Sequence, residues 1–128
     1  MNLSPHELAY VAAAAGFTGD DLVTAVALAL AESGGDPEIM GRSDTGTSVG
    51  NRDHGLWQIS GRWHGAKLQA APAWRNPYVN GRLAFKVYSD NGRTFQPWSA
   101  FTSRAHERYL PDAKIAVQWP WPPPYRTW

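Results

Sequence analysis

A mainly α-helical domain with one small extended element is what this sequence predicts, and three observations carry that prediction. Proline-bearing helix starts stand at Ser4-Pro5-His6-Glu7 and at Asn76-Pro77. An apolar run, Leu22 to Ala31, is stopped by Gly34-Gly35. A stretch rich in Gly, Ser, Asp, Thr and Asn, residues 36–54, leads into the short apolar segment Gly55 to Ser60.

The elements follow in order. Ser4 reads as an N-cap, with Pro5 in the first turn and Glu7 completing a capping box. This helix should run to about Ala15, where Gly16 is free to take the left-handed terminal position. Thr18-Gly19-Asp20-Asp21 repeats the signal, Thr18 capping and the two aspartates complementing the positive end of the dipole. From Asp21 to Ser33 the pattern is apolar nearly all round, which predicts a central, buried helix. Residues 36–54 predict a loop or small hairpin, and Gly55 to Ser60 a short strand or extended turn. Gly61 to Trp74 predicts no more than one irregular helical turn, ended by Pro72. Val79, Leu83 and Val87, four apart with Tyr88 beside them, form a helical stripe ending near Asn91-Gly92. Further helices are expected over Ser99 to Arg108 and Pro111 to Gln118. The tail from Trp119 to Trp128 is too rich in proline for a helix and predicts extended polyproline, packed back on the body rather than acting as a linker. The expected organisation is one domain over residues 1–118 and a Pro/Trp-rich tail over 119–128.

With 128 residues, the chain has room for one core and no second domain. The 43% apolar and 18% charged content argues against disorder of the whole chain. Seven tryptophans exceed what such a core needs, so some are expected to line a groove. Trp57, Trp63 and Trp98 are the candidates. The net charge of +1 hides an uneven distribution. Residues 1–60 hold two Arg against eight Asp or Glu, and residues 61–128 hold ten Lys or Arg against three. The two halves are expected to fold against each other and partly cancel; the functional alternative is a cationic flank for an anionic polymer. The basic residues form no run, so nucleic acid is not an expected partner. Without cysteine there are no disulfides, thiolate metal sites or cysteine nucleophiles. His6, His64 and His106 have no metal-ligand spacing with any acid, and His54 stands alone, so neither metal nor cofactor is expected. No secretory signal is legible, and the longest apolar stretch is too short to span a bilayer.

The chemistry concentrates at two carboxylates. Glu32 lies at the last turn of the apolar helix, where desolvation and the negative end of the dipole both disfavour its charge. A carboxyl with a raised pKa suits a general acid near neutrality. Asp53, 21 positions on, is surrounded in sequence by Asn51, Arg52, His54 and Ser60, a polar setting that favours ionisation. Glycosidic bond cleavage needs such a divided pair: one acid to protonate the leaving oxygen, one anion to face the developing oxocarbenium ion. Read separately, Glu32 could equally cap a loop or pair with an arginine, and Asp53 is by itself more naturally a turn residue bonded to its own backbone.

A resemblance shifts that balance. Ala31-Glu32-Ser33-Gly34-Gly35-Asp36-Pro37, then Gly55-Leu56-Trp57-Gln58-Ile59-Ser60, then Asn76-Pro77-Tyr78-Val79-Asn80 resemble the ordered blocks of lysozyme-like and soluble lytic transglycosylase domains. Ala84-Phe85-Lys86-Val87-Tyr88, Gly92 and Trp98-Ser99-Ala100-Phe101 are similar to the versions in actinobacterial and phage cell-wall enzymes. The likeness covers about residues 20–105, and its specificity lies in the order of the blocks. It implies an α+β lysozyme-like fold, a helical lobe around a catalytic helix with a small β element and a cleft between them. It also implies Glu32 as the catalytic acid and Ser33 as the residue that steadies it. The block with Trp57 and Gln58 would form the cleft floor, Gln58 bonding to sugar or to Glu32, and Asn80 and Tyr88 would lie on the helix that reaches substrate.

The implied reaction is cleavage of peptidoglycan between N-acetylmuramic acid and N-acetylglucosamine, by a monomer acting on the wall with no membrane insertion. Lytic transglycosylases generally use one glutamate and yield 1,6-anhydro ends, whereas animal-type lysozymes place an aspartate where Asp53 stands. A hydrolase using Glu32 and Asp53 is therefore favoured over a transglycosylase using Glu32 alone, with Asp44 as the other acidic candidate. A glycan-binding or phage tail protein that kept the fold, with other virion proteins as partners, is the non-enzymatic alternative.

Overall fold

The protein is described from a computed structural model, over residues 2–41 and 52–118. Asp44 and the tail after Gln118 lie outside the described residues. Helix α1 spans Pro5–Ala15 and carries the full capping box: Ser4 Oγ accepts from the Glu7 N–H, and the Glu7 side chain accepts from the Ser4 N–H. Helix α2 spans Gly19–Ser33 and ends at a left-handed Gly34 whose N–H donates to the Leu30 carbonyl. Thr18 precedes it in an extended conformation but makes no side-chain capping bond, so that expectation fails; its carbonyl instead accepts the first helical N–H, from Leu22.

Among the described residues, β1 (Met40–Gly41), β2 (Asp53–His54) and β3 (Ile59–Ser60) form one antiparallel sheet in the order β1-β2-β3. Gly55 to Gln58 is the turn between β2 and β3, so the segment read as one strand is a turn ending in a strand. Helix α3 covers Gly61–Gln69, capped by Ser60 and kinked at His64. Only an irregular turn was expected there, because Gly65 and a weakly apolar sequence conceal a helix that tertiary packing imposes. Helix α4 spans Pro77–Asp90, with the Asn76 side chain accepting from the Tyr78 and Val79 N–H groups. The helix expected over Ser99 to Arg108 is broken in two: α5 is only Ser99–Thr102, and a 3-10 segment runs over Ala105–Tyr109. The break is Arg104, which takes left-handed angles with φ at 67°. Helix α6, Leu110–Gln118, follows.

Helix α2 lies at the centre of the lobe, packed against α1, α5, α6 and the 3-10 segment, with Ala25 to Ala29 all buried. Small side chains here let the neighbouring helices approach closely, and the burial of their apolar surface supplies most of the stabilisation. A second part of the core is aromatic: Phe17 meets Phe85, Tyr88 and Phe95 with ring centroids 5.0 to 5.7 Å apart. Among the described residues, no helix is long and apolar enough to cross a membrane.

Candidate active site

The end of α2, the sheet and the segment entering α5 meet around a cavity of about 190 Å³. Glu32, Asp53, Gln58, Ser60, Trp63 and Trp98 are among the side chains lining it. Gln58, Ser60, Trp63 and Trp98 also line an adjoining space of about 420 Å³ that extends toward His64 and Asn91. Together the two spaces form a groove with the paired carboxylates at one end.

Glu32 has its pKa raised from the ordinary 4.5 to about 7. Burial is the largest cause, the negative charge of Asp53 adds to it, and a hydrogen bond from the Ala100 backbone N–H opposes both. Sequence reasoning anticipated the desolvation; it could not locate the second charge or the backbone donor, which arrive from residues 21 and 68 positions away. Asp53 is half-buried in β2, paired with Gly41 on one side and Ser60 on the other. Alternation along that strand sends the next side chain, His54, the opposite way. His54 is buried, its Nδ1 lies 3.2 Å from the Ile59 carbonyl oxygen, and its ring meets Trp74 edge-on. Burial leads the influences that lower its pKa, so it is a neutral sheet brace.

Ser33 is buried, donates from Oγ to the Ala29 carbonyl at 2.8 Å and accepts from the Gly35 N–H at 3.2 Å. It therefore ties down the helix end that carries Glu32. Gln58 lines the groove with a left-handed backbone (φ 48°), an uncommon conformation for a residue with a side chain. Its Nε2 donates to the Gly55 carbonyl at 2.9 Å and the Ile39 carbonyl at 3.2 Å. Both amide hydrogens are thus committed to backbone, joining the turn to β1.

Three residues expected at the substrate lie behind the groove instead. Trp57 is 1% exposed, with its indole N–H donating to the Ala25 carbonyl of α2 at 2.8 Å, which pins the ring in the core. Asn80 is fully buried: its Oδ1 accepts from the Trp57 N–H at 2.8 Å and its Nδ2 donates to the His54 carbonyl at 2.9 Å. Tyr88 is 1% exposed among Phe17, Phe85 and Phe95, and its hydroxyl donates to Asp21 at the start of α2. Buried polar groups need partners, and these have found them inside the protein.

Trp98 and Trp63 do line the groove, in different ways. Trp98 is largely buried, and its indole N–H donates to the Trp57 carbonyl at 2.8 Å. Trp63 is 72% exposed, with the Arg62 guanidinium 5.0 Å from its ring centroid. Ser60 and Pro97 also line both spaces and escaped the sequence reading. Ser60 is the cross-strand partner of Asp53, so both side chains emerge on the same face of the sheet, toward the groove.

A family model described as a lysozyme-like domain matches residues 9–100. That span contains α2, the sheet, α3, α4 and Ala100, and hence both carboxylates and the backbone donor. No curated protein and no solved structure matches the chain. Proteins with this domain are generally glycosidases or lytic transglycosylases that cleave the glycan of peptidoglycan. With nearly three quarters of its length matched and the α+β architecture in place, the chain belongs to the lysozyme-like domain family.

Proposed function

We propose that the protein hydrolyses the β-1,4 bond between N-acetylmuramic acid and N-acetylglucosamine in peptidoglycan. The reading is carried by one observation: Glu32 and Asp53 share a cavity, and the charge of Asp53 helps to hold a proton on Glu32 at neutral pH. Glu32 then serves as general acid, passing that proton to the glycosidic oxygen as the bond to the anomeric carbon breaks. Asp53, ionised, faces the positive charge that develops on the sugar ring. Proton loss from Glu32 would remove the acid, so activity should fall as pH rises through about 7. Ser33 ties down the helix end that carries the acid, and the groove walls at Gln58, Ser60, Trp63 and Trp98 receive the glycan strand.

Mass spectrometry of fragments released from purified cell walls tests this. Reducing muramic acid ends are expected, because water completes the reaction. Predominance of 1,6-anhydromuramic ends would replace hydrolysis by transglycosylation with Glu32 alone. Tight wall binding with no soluble fragment after long incubation would overturn an enzymatic role altogether.

A further inference from the structure

The uneven charge along the chain becomes a surface in the fold. Residues 1–41 hold six acids and no Lys or Arg, whereas residues 61–98 hold six Lys or Arg against one acid. The second span contains α3 and α4, and five of its six cations are exposed: Arg62, Arg75, Arg82, Lys86 and Arg93. The sixth, Lys67, is half-buried, and its Nζ lies 3.4 Å from Asp90. Lys86 lies 3.5 Å from the same carboxylate, so one acid serves two lysines. Both pair inside their own half of the chain, and the cancelling expected between the halves fails for them. Helix α1, packed against α4, adds one acid, Glu7, which is engaged in the capping box with Ser4.

The outer cations do not face the groove. Its larger space reaches α4 at Val87 and Asn91. At about 100° per residue, Arg82 and Lys86 stand about 100–180° round the helix from those positions, on the solvent side. Positive charge nevertheless continues to the rim. Asp90, which holds Lys67 and Lys86, precedes the groove-lining Asn91, and Lys67 follows the groove-lining His64 on α3. A glycan strand seated in the groove does not meet Arg82 or Lys86, and N-acetylated sugars bring them no charge. One exposed cation contributes little, because water and salt screen it. Several neighbours add into a field that suits a chain of repeating negative charge better than one small anion. Four of the six are arginine, whose planar fork takes phosphate oxygens two at a time.

We infer that the outer face of α4, Arg82 and Lys86 with the neighbouring cations of α3, docks a phosphodiester-linked polyanion carried by the wall. This second polymer lies beside the glycan strand and holds the enzyme on its insoluble substrate between cuts. The inference rests on the reading of wall glycan as the substrate.

Cosedimentation with purified walls tests it, using chains that carry Glu32→Gln so that the walls stay intact. One wall sample keeps its phosphodiester-linked polymers; a second is stripped of them with hydrofluoric acid, which leaves glycan and peptide. The Glu32→Gln chain should bind the untreated walls about tenfold more tightly than the stripped ones. That difference should shrink severalfold as salt rises from about 0.05 M to about 0.5 M. Adding Arg82→Gln and Lys86→Gln together should remove most of it, while binding to stripped walls changes by less than about twofold. Both residues are exposed, so the melting temperature should stay near that of the parent. If the double variant does not fold, the two substitutions are compared singly. Equal binding to the two wall samples would overturn the inference, as would a double variant that binds untreated walls as tightly as its parent. Equal loss of binding to both samples in the double variant would assign the face to carboxylates of the wall peptide and overturn the phosphodiester occupant. The hydrolytic reading fails separately, by the absence of released fragments when Glu32 is intact, and the binding measurements still judge the α4 face.

Discussion

The two walls of the groove hold their carboxylates by different means. Glu32 stands on a helix of 15 residues, held by its own ladder of hydrogen bonds and by apolar packing against α1, α6 and the 3-10 segment. Asp53 stands on a two-residue strand, too short to hold itself. Its wall is secured from outside: Asn80 of α4 bridges the His54 carbonyl and the Trp57 N–H, and Trp57 is bonded to α2. Gly55 makes that bridge possible. Its φ is 78°, and a Cβ there would collide with the Asn80 amide. One wall is thus a long helix held by many apolar contacts and the other a short sheet held by a few buried polar bonds from distant elements, which makes the second wall the more sensitive to loss of a single remote bond.

The largest effect is expected at Glu32. Glu32→Gln should lower activity by about 10²- to 10⁴-fold, the usual share of a general acid, measured as release of wall fragments. The same change should stabilise the fold at alkaline pH. Because the folded-state pKa lies above the ordinary value of 4.5, the native state binds the proton more tightly than the unfolded chain. Stability from this group is complete below about pH 4.5 and is lost as pH rises through about 7, by a total of about 3 kcal/mol. Denaturant melts at pH 5 and pH 8 should show the wild type losing more stability than Glu32→Gln over that interval; parallel losses would contradict the assigned pKa.

Asp53→Asn comes next. A loss of about a hundredfold or more is expected if two carboxylates act together. The alkaline limb should also move to lower pH, since a charge that raises the Glu32 pKa has gone. A mild effect on rate would favour the single-acid transglycosylase scheme.

Asn80→Leu tests the remote support of the second wall. It leaves the Trp57 N–H and the His54 carbonyl buried without their partner, at a cost of about 2–4 kcal/mol by denaturant unfolding. The turn carrying Gln58 should loosen with it, so kcat drops along with stability. The smallest effect is expected at Trp63, which is mostly exposed. Trp63→Ala should change stability by less than about 0.5 kcal/mol, while KM for glycan rises about three- to tenfold as a stacking surface is lost. An unchanged KM would remove Trp63 from the binding surface.

Much of the helical lobe was legible because its signals are local. Ser4, Pro5 and Glu7 start α1, Asn76 and Pro77 start α4, and Gly34 ends α2, each through backbone groups a few residues away. The α3 helix was missed because its sequence is not strongly apolar and its kink at His64 hides the period. The break after Thr102 was missed because left-handed angles at an arginine have no local signature.

For the site, the residues able to carry the chemistry are marked along the chain: a glutamate closing an apolar helix and an aspartate leading into a short strand. Tertiary structure alone decided which side chains face the groove. Trp57, Asn80 and Tyr88 occupy motif positions like those of Gln58 and Trp98, and all five bond to the protein interior, yet only Gln58 and Trp98 keep a face in the groove. Spacing along the chain cannot distinguish the two cases. Which residues keep a face toward the groove is set by how elements far apart in the chain pack over them, and the buried ones are tied to partners 26 to 67 residues away.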